Sequence, residues 1–347
     1  MLPKNRKRAL VLSGGGGRGA YHVGALRFLH EHEWFPDVVV GTSIGAVNGA
    51  ALASGHSAQS LWALWRRLRT EHVQKPNLNP LKNHFLLDTA PLRETLMEDG
   101  WLDFGRINSA EARVHLRLTA TEVDTGKLFV YGNSPDIFPS QTQIAPLTID
   151  HIIASCSIPL IYPATKLDGH VFWDGATVSN TPLGAAIDAG AEDIVVVLMT
   201  PWGESQQTAV PLPENILQAA SLALDWALLA SFRADLKMFR RVNEYVKLKI
   251  QNARLQTMLA EVRQQIAQEG AAERYADLNQ DGIPDVFEQD LRIIPDPVIF
   301  APSQPIPAEQ IVSYTLEGHE RMYEMGYEDA KRAWSAAGRI VEGGQSS

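Results

Sequence analysis

Residues able to do chemistry gather at three places in this chain. Gly14-Gly15-Gly16-Gly17-Arg18-Gly19 follows a short apolar run and opens a helical pattern. Gly41-Thr42-Ser43-Ile44-Gly45 stands in the same kind of context, and Asp174-Gly175-Ala176 closes the run Phe172-Trp173. A G-x-S-x-G pentapeptide sets a serine hydroxyl on a tight strand-to-helix turn, where a Cβ on a flanking residue would clash. The helix that follows points backbone N–H groups at developing negative charge. Ser43 is therefore the candidate nucleophile, and the glycine loop one unit upstream a candidate oxyanion hole.

Other chemistries fit these residues less well. Gly14, Gly16 and Gly19 also match G-x-G-x-x-G, the dinucleotide fingerprint. That reading wants an acid about 20 residues on, at the end of the second strand, whereas Asp37 precedes the strand. A phosphate loop is excluded because no Lys-Ser or Lys-Thr follows the glycines. A Ser–His–acid triad suits a serine deeper in its fold than Ser43. The later histidines (His56, His72, His84, His115, His151, His170 and His319) carry no distinctive local motif. Asp174 is the better partner, since a partly buried carboxylate has a raised pKa and can take a serine proton directly. The same residue, followed by glycine, would equally serve to shape a turn.

The elements that must position these residues follow from apolar patterning. Ala9–Leu12 and Val38–Val40 are short buried-strand patterns, each followed by a glycine turn and a helix. Strand–turn–helix repeated in this way predicts an α/β fold with a parallel sheet, whose neighbouring strands would bring both turns to one edge. Val114–Thr121 and Lys127–Tyr131 predict a hairpin across Asp124-Thr125-Gly126, and a helix then a strand are expected between Pro182 and Met199. From Glu214 to about Arg274 helical spacing without proline predicts one or two long helices. A strand at Val298–Ala301 and a helix from about Ala308 to Ala337 close the chain.

Together the three motifs, in this order, resemble the patatin-like phospholipase family. The resemblance extends over Ala154-Ser155-Cys156-Ser157-Ile158-Pro159 and Asn180-Thr181-Pro182-Leu183, so it runs from about Arg8 to Thr200. It implies a three-layer α/β/α sandwich with a mainly parallel sheet and a Ser43–Asp174 dyad that needs no histidine, metal or cofactor for chemistry. It also implies an oxyanion hole at Gly15, Gly16, Gly17 and Arg18, with Arg18 orienting that loop or meeting a lipid phosphate. The implied activity is hydrolysis of lipid acyl esters through an acyl-serine intermediate. The competing reading is a non-catalytic or conditionally activated lipid-binding effector on the same scaffold. Ser13 stands where many relatives carry Gly or Asp, and Ala176 replaces a glycine; neither touches the dyad. The expected organisation is a catalytic domain over 8–210, a helical C-terminal extension over 211–340 that completes or covers it, and a disordered tail over 342–347.

Composition bounds the rest. With 347 residues, 45% apolar, the chain can bury a sizeable core without disulfides, and its one cysteine, Cys156, permits none within the chain. A net charge of −9 argues against a nucleic-acid surface. The apolar run from Ala219 to Phe232 is broken by Ser221, Asp225 and Ser231, short of the roughly 20 residues a membrane span needs. A soluble, cytoplasmic chain with peripheral membrane contact at most is expected. Residues 277–288 follow the EF-hand ligand spacing through Asp277, Asn279, Asp281, the Ile283 carbonyl, Asp285 and Glu288, with Gly282 at the turn. They predict either a structural Ca²⁺ site or a polar interhelical turn; Pro284 lacks an N–H that a paired loop uses. Arg233 to Lys249 carries Arg233, Lys237, Arg240, Arg241, Lys247 and Lys249 against Asp235 and Glu244. That stretch suits an anionic interface or the solvated face of a helix. Trp62, Trp65 and Leu68 suit an acyl-chain groove or plain core.

Overall fold

The computed structural model describes residues 6–98, 100–136, 142–202, 212–214, 216–266 and 293–339. Four parallel pairings build the middle of the sheet, in which Ala9–Leu12, Val38–Val40 and Ile194–Val197 are the unbroken apolar runs that burial on both faces requires. β1 (Arg8–Leu12) lies between β2 (Val38–Gly41) and β8 (Asp193–Val197), and β2 pairs in turn with β3 (His115–Glu122). Beyond β8 the sheet gains β9 (Val298–Phe300), with Val195 opposite Val298. Past β3 lie the expected hairpin partner β4 (Leu128–Gly132) and the short β5 (Thr142–Ile144). Helices flank this mainly parallel sheet, giving the expected sandwich class.

The departure from a simple parallel sheet is what positions the site. β3 is longer than β2: Gly41, the last residue of β2, lies opposite Leu118. The remaining length of β3 is paired by β7 (His170–Asp174), which runs antiparallel and puts Asp174 opposite Ala120. β6 (Thr165–Leu167) pairs outside β7. Two strands thus share one edge of β3 and point their C-terminal ends at each other. Their last residues sit two register positions apart, about 7 Å along a strand.

Around the sheet, α1 (Ala20–Glu31) follows the glycine loop and α2 (Ile44–Ala53) follows Ser43. α3 (Ala58–Arg67) is closed at its start by Ser57 and Ser60, each side chain accepting from the other residue's amide. α4 (Ala90–Met97), α5 (Ile149–Ser155) and α6 (Leu183–Asp188) complete the first part of the chain. α7 runs from Ile216 to Ile266, and α8 from Leu316 to Ala336.

Contacts along the chain define two compact units. One unit holds Met1–Arg233 together with Pro297–Ser347, and the other is Ala234–Asp296. The cause is long-range pairing: β9 extends the sheet, and α8 packs along α1 through reciprocal glycines. A Cβ on Gly24 would lie 1.9 Å from the Tyr323 carbonyl oxygen, and one on Gly326 would lie 2.1 Å from that of Tyr21. Beside this contact Tyr21 donates its hydroxyl proton to Asp329 (3.1 Å). Burial raises the Tyr21 phenol well above its usual range, which keeps it a donor. The expected loop 277–288 and tail 342–347 lie outside the described residues. No helix among the described residues is long and apolar enough to cross a membrane.

Gly326→Ala is expected to force the two helices apart and cost about 3 kcal/mol. A denaturant midpoint equal to wild type would show that the helices are not in backbone contact.

Candidate active site

Ser43 sits at the turn between β2 and α2 with φ 56° and ψ −126°, a conformation that costs a non-glycine residue about 1–3 kcal/mol. Its surroundings enforce it. A Cβ on Gly45 would be 2.2 Å from the Leu12 carbonyl oxygen, and one on Gly41 would be 2.3 Å from that of Gly45. The Ser43 amide donates to Ser155 Oγ (2.9 Å), and the two threonine hydroxyls of Thr42 and Thr119 bridge at 2.7 Å. Ser43 is thereby held on β3's edge, buried and unable to relax into the helix behind it.

Asp174 arrives from the opposite direction. Its amide donates to the Ser157 carbonyl (2.8 Å), and its Oδ1 accepts from the Ala176 amide (2.8 Å). Burial pushes the carboxyl up to about 7, against the opposing pull of hydrogen bonds from the Ser43 hydroxyl and the Ala176 amide. Gly175 makes the close approach possible, since a Cβ there would be 2.1 Å from Thr119 Oγ1. The structure therefore brings Ser43 and Asp174 together, joined through side chains.

The glycine loop closes the third side. Gly14 donates its amide to Asn180 Oδ1 (2.8 Å), and a Cβ on Gly14 would come within 3.1 Å of Ser43 Cβ. Gly16–Gly19 form a single 3-10 turn leading into α1, so its first amides are the orphan donors that any helix start leaves. The Arg18 amide, by contrast, donates to the Gly15 carbonyl (3.2 Å). The Arg18 guanidinium is 2% exposed and turned into protein. It makes a two-pronged pair with Asp225 of α7 (3.1 and 3.4 Å) and donates to the Pro307 carbonyl (3.5 Å). Its placement suits the orienting role that the resemblance allows it. A lipid phosphate would have to displace Asp225.

Residues 307–315 lie directly on this loop. A Cβ on Gly16 would be 2.1 Å from the Ile311 carbonyl oxygen, and one on Gly17 would be 2.3 Å from that of Gln310. The segment is stitched down where Gln74 Nε2 donates to the Val312 carbonyl (2.7 Å) and the Tyr314 amide donates to Thr70 Oγ1 (3.1 Å).

From Ser43 a narrow, almost wholly apolar cavity runs inward. Its walls include Val47, Trp65, Leu92, Trp101, Cys156 and Tyr314. Burial raises the Cys156 thiol and the Tyr314 phenol well above their usual values, so neither brings charge into it. No histidine lines it. Of the three residues singled out as groove or core, Trp65 and Leu68 line the cavity while Trp62 stacks on Tyr323, ring centroids 4.0 Å apart. Among the described residues no group of three His, Cys, Asp or Glu could hold a metal ion.

Sequence reasoning assigned no role to Asn180, Ser155 or Asp225. The first two fall within Asn180–Leu183 and Ala154–Pro159, stretches that share the family resemblance and so carried a signal. Asp225 sits in a helix whose pattern gives no hint that it meets Arg18.

The profile of the patatin-like phospholipase family matches residues 10–187, just over half of the 347 residues, and the chain belongs to that family. It is similar to patatin-like phospholipase domain-containing protein ZK370.4 of Caenorhabditis elegans, 28% identical over 54% of this chain and 13% of that protein. Patatin-like phospholipase domain-containing protein 6 of mouse is 29% identical, again over 54% of this chain and 13% of that one. The uncharacterized protein YqhO of Bacillus subtilis is 27% identical over 55% of this chain and 70% of its own length. The chain thus spans only a small part of the two animal relatives. VipD from Legionella pneumophila superposes with a TM-score of 0.44 at 15% identity, covering 95% of this chain and 67% of that one.

Removing Asp225 would leave the Arg18 charge buried without its partner. Asp225→Ala is expected to lower stability by about 3 kcal/mol, and Arg18→Met combined with Asp225→Leu to recover most of it. Denaturant midpoints of the three chains decide the matter; an unchanged midpoint for Asp225→Ala would mean that the pair holds nothing.

Proposed function

We propose that this chain is a serine acyl hydrolase that cleaves carboxylic esters of lipids. The observation that carries the reading is a strained, buried serine facing a buried carboxyl at the head of an uncharged cavity. Ser43 Oγ attacks the ester carbonyl carbon while Asp174 accepts its proton. The oxyanion is held by the Gly15–Gly17 amides at the start of the 3-10 turn. Collapse of the tetrahedral intermediate expels the alcohol, which takes the proton from Asp174, and leaves an acyl–Ser43 ester. Water, deprotonated by Asp174, attacks that ester to release the fatty acid and return the proton to Ser43. The apolar cavity takes the acyl chain, where burial of each methylene is worth about 0.8 kcal/mol.

A base must be ionised to work, and the Asp174 carboxyl lies at about 7. Activity on a soluble ester is therefore expected to rise through about pH 7, with Ser43→Ala and Asp174→Asn both inactive but folded. The test is a fluorophosphonate adduct seen by intact mass: one adduct on wild type and none on Ser43→Ala supports the reading. Equal labelling of both, or hydrolysis retained by Asp174→Asn, refutes the dyad.

The same group governs stability with the opposite benefit. Between the ordinary aspartate value of 3.8 and about 7 the folded chain keeps a proton that the unfolded chain has lost. Stability therefore declines as pH rises through that window. Asp174→Asn removes the decline, so above pH 7 it is expected to unfold at higher denaturant than wild type. Parallel wild-type and variant midpoints from pH 5 to pH 8 would contradict this.

A further inference from the structure

We infer that the Met238–Lys249 face of α7 docks on an anionic phospholipid surface. Met238, Val242, Tyr245 and Leu248 recur at spacings of four, three and three, which puts them on one side of the helix. Each is more than half exposed, between 52% and 62%. Exposed large apolar side chains set singly need no explanation, but a contiguous stripe of four marks a contact surface.

Lys237, Arg241 and Lys249 are interleaved with that stripe on the same side and are themselves exposed. No ion pair engages Lys237 or Arg241 among the described residues, and Lys249 lies over the Tyr245 ring (5.1 Å). Glu244, at the edge of the face, is held by Lys247 (2.8 Å).

The opposite side of this helix segment is already committed. Leu236, Phe239, Asn243 and Ile250 are buried there. The Asn243 amide group donates to the Ile294 carbonyl (2.7 Å) and accepts from the Ile294 amide (3.4 Å). The helix is fixed on one side and offers apolar and cationic groups on the other.

Charge complementarity selects the occupant. Residues 233–249 hold six cations and two acids, a local charge of +4 in a chain whose total is −9. Phosphates along a nucleic acid would reward the cations but not Met238, Val242 and Leu248. A lipid headgroup layer rewards both: the apolar side chains enter the acyl boundary while lysine and arginine remain among anionic headgroups. Tyr245, with an apolar ring and a polar tip, suits the boundary between the two. This surface lies wholly within α7 and does not depend on the hydrolase reading.

The test is co-sedimentation of the full chain, carrying Ser43→Ala so that lipid stays intact, with phosphatidylserine–phosphatidylcholine vesicles and with phosphatidylcholine vesicles alone. Binding to the anionic vesicles, weakened by raised salt, is expected. Lys237→Gln with Arg241→Gln should weaken it by about 30-fold, and Met238→Gln with Leu248→Gln should weaken it without changing the salt dependence. Circular dichroism and thermal midpoints equal to the parent's keep both variants interpretable, since all four side chains are exposed. Equal binding to neutral vesicles, no binding, or binding untouched by either double variant would overturn the assignment. So would a fall in sedimentation coefficient in the Met238/Leu248 variant with vesicle binding unchanged, because the face would then belong to a second copy of the chain.

Discussion

The site depends first on the length of β3. A strand of eight residues offers more edge than the four of β2 can cover, and backbone N–H and C=O groups left bare in a buried sheet are costly. β7 covers the remainder, and it does so from the other direction. Head-to-head pairing on one edge then fixes where Ser43 and Asp174 stand, because hydrogen-bond register cannot be altered in steps smaller than a residue. Thr119 marks the junction, its hydroxyl against Thr42 and its position barred to any side chain on Gly175. The proposed dyad is thereby positioned by sheet geometry, with loops contributing only the final turn at each end.

Burial on that edge has two effects that pull against each other. It raises the Asp174 carboxyl toward neutrality, which suits the proposed role of taking and returning a proton near pH 7. It also makes the ionised form a burden on the fold, in company with the strained backbone of Ser43. The rest of the unit offsets both. The apolar residues of β1, β2 and β8 are buried, and the close seam between α1 and α8 adds backbone-to-backbone contact.

What could be seen from the sequence was what local chain geometry dictates. Ser43, Asp174 and the glycine loop announce themselves because tight turns admit few residue types, and β1, β2 and the β3–β4 hairpin because apolar runs and a turn tripeptide are local. The particular contacts that join 297–339 to the sheet and to α1 were not visible. They put Val298 opposite Val195 and Gly326 against Tyr21, and neither partner's neighbourhood reveals them. Asp225 was hidden for the same reason, although Arg18, its partner, stood in the most conspicuous motif of the chain. Among Trp62, Trp65 and Leu68, one stretch of chain carries Trp65 and Leu68 toward the cavity and Trp62 toward α8.

The placement of residues 307–315 over the glycine loop bears on how the protein is made. Synthesis delivers Gly14–Gly19, Ser43 and Asp174 before Gln310 and Ile311, whose carbonyls support the loop. A ribosome-bound chain that has shown residues 14–200 but not 307–315 owns both proposed reactive groups but not the segment packed on their glycine loop. The finished geometry must wait until α8 has emerged and docked on α1. The order of translation itself therefore separates the making of Ser43 and Asp174 from the completion of the loop beside them.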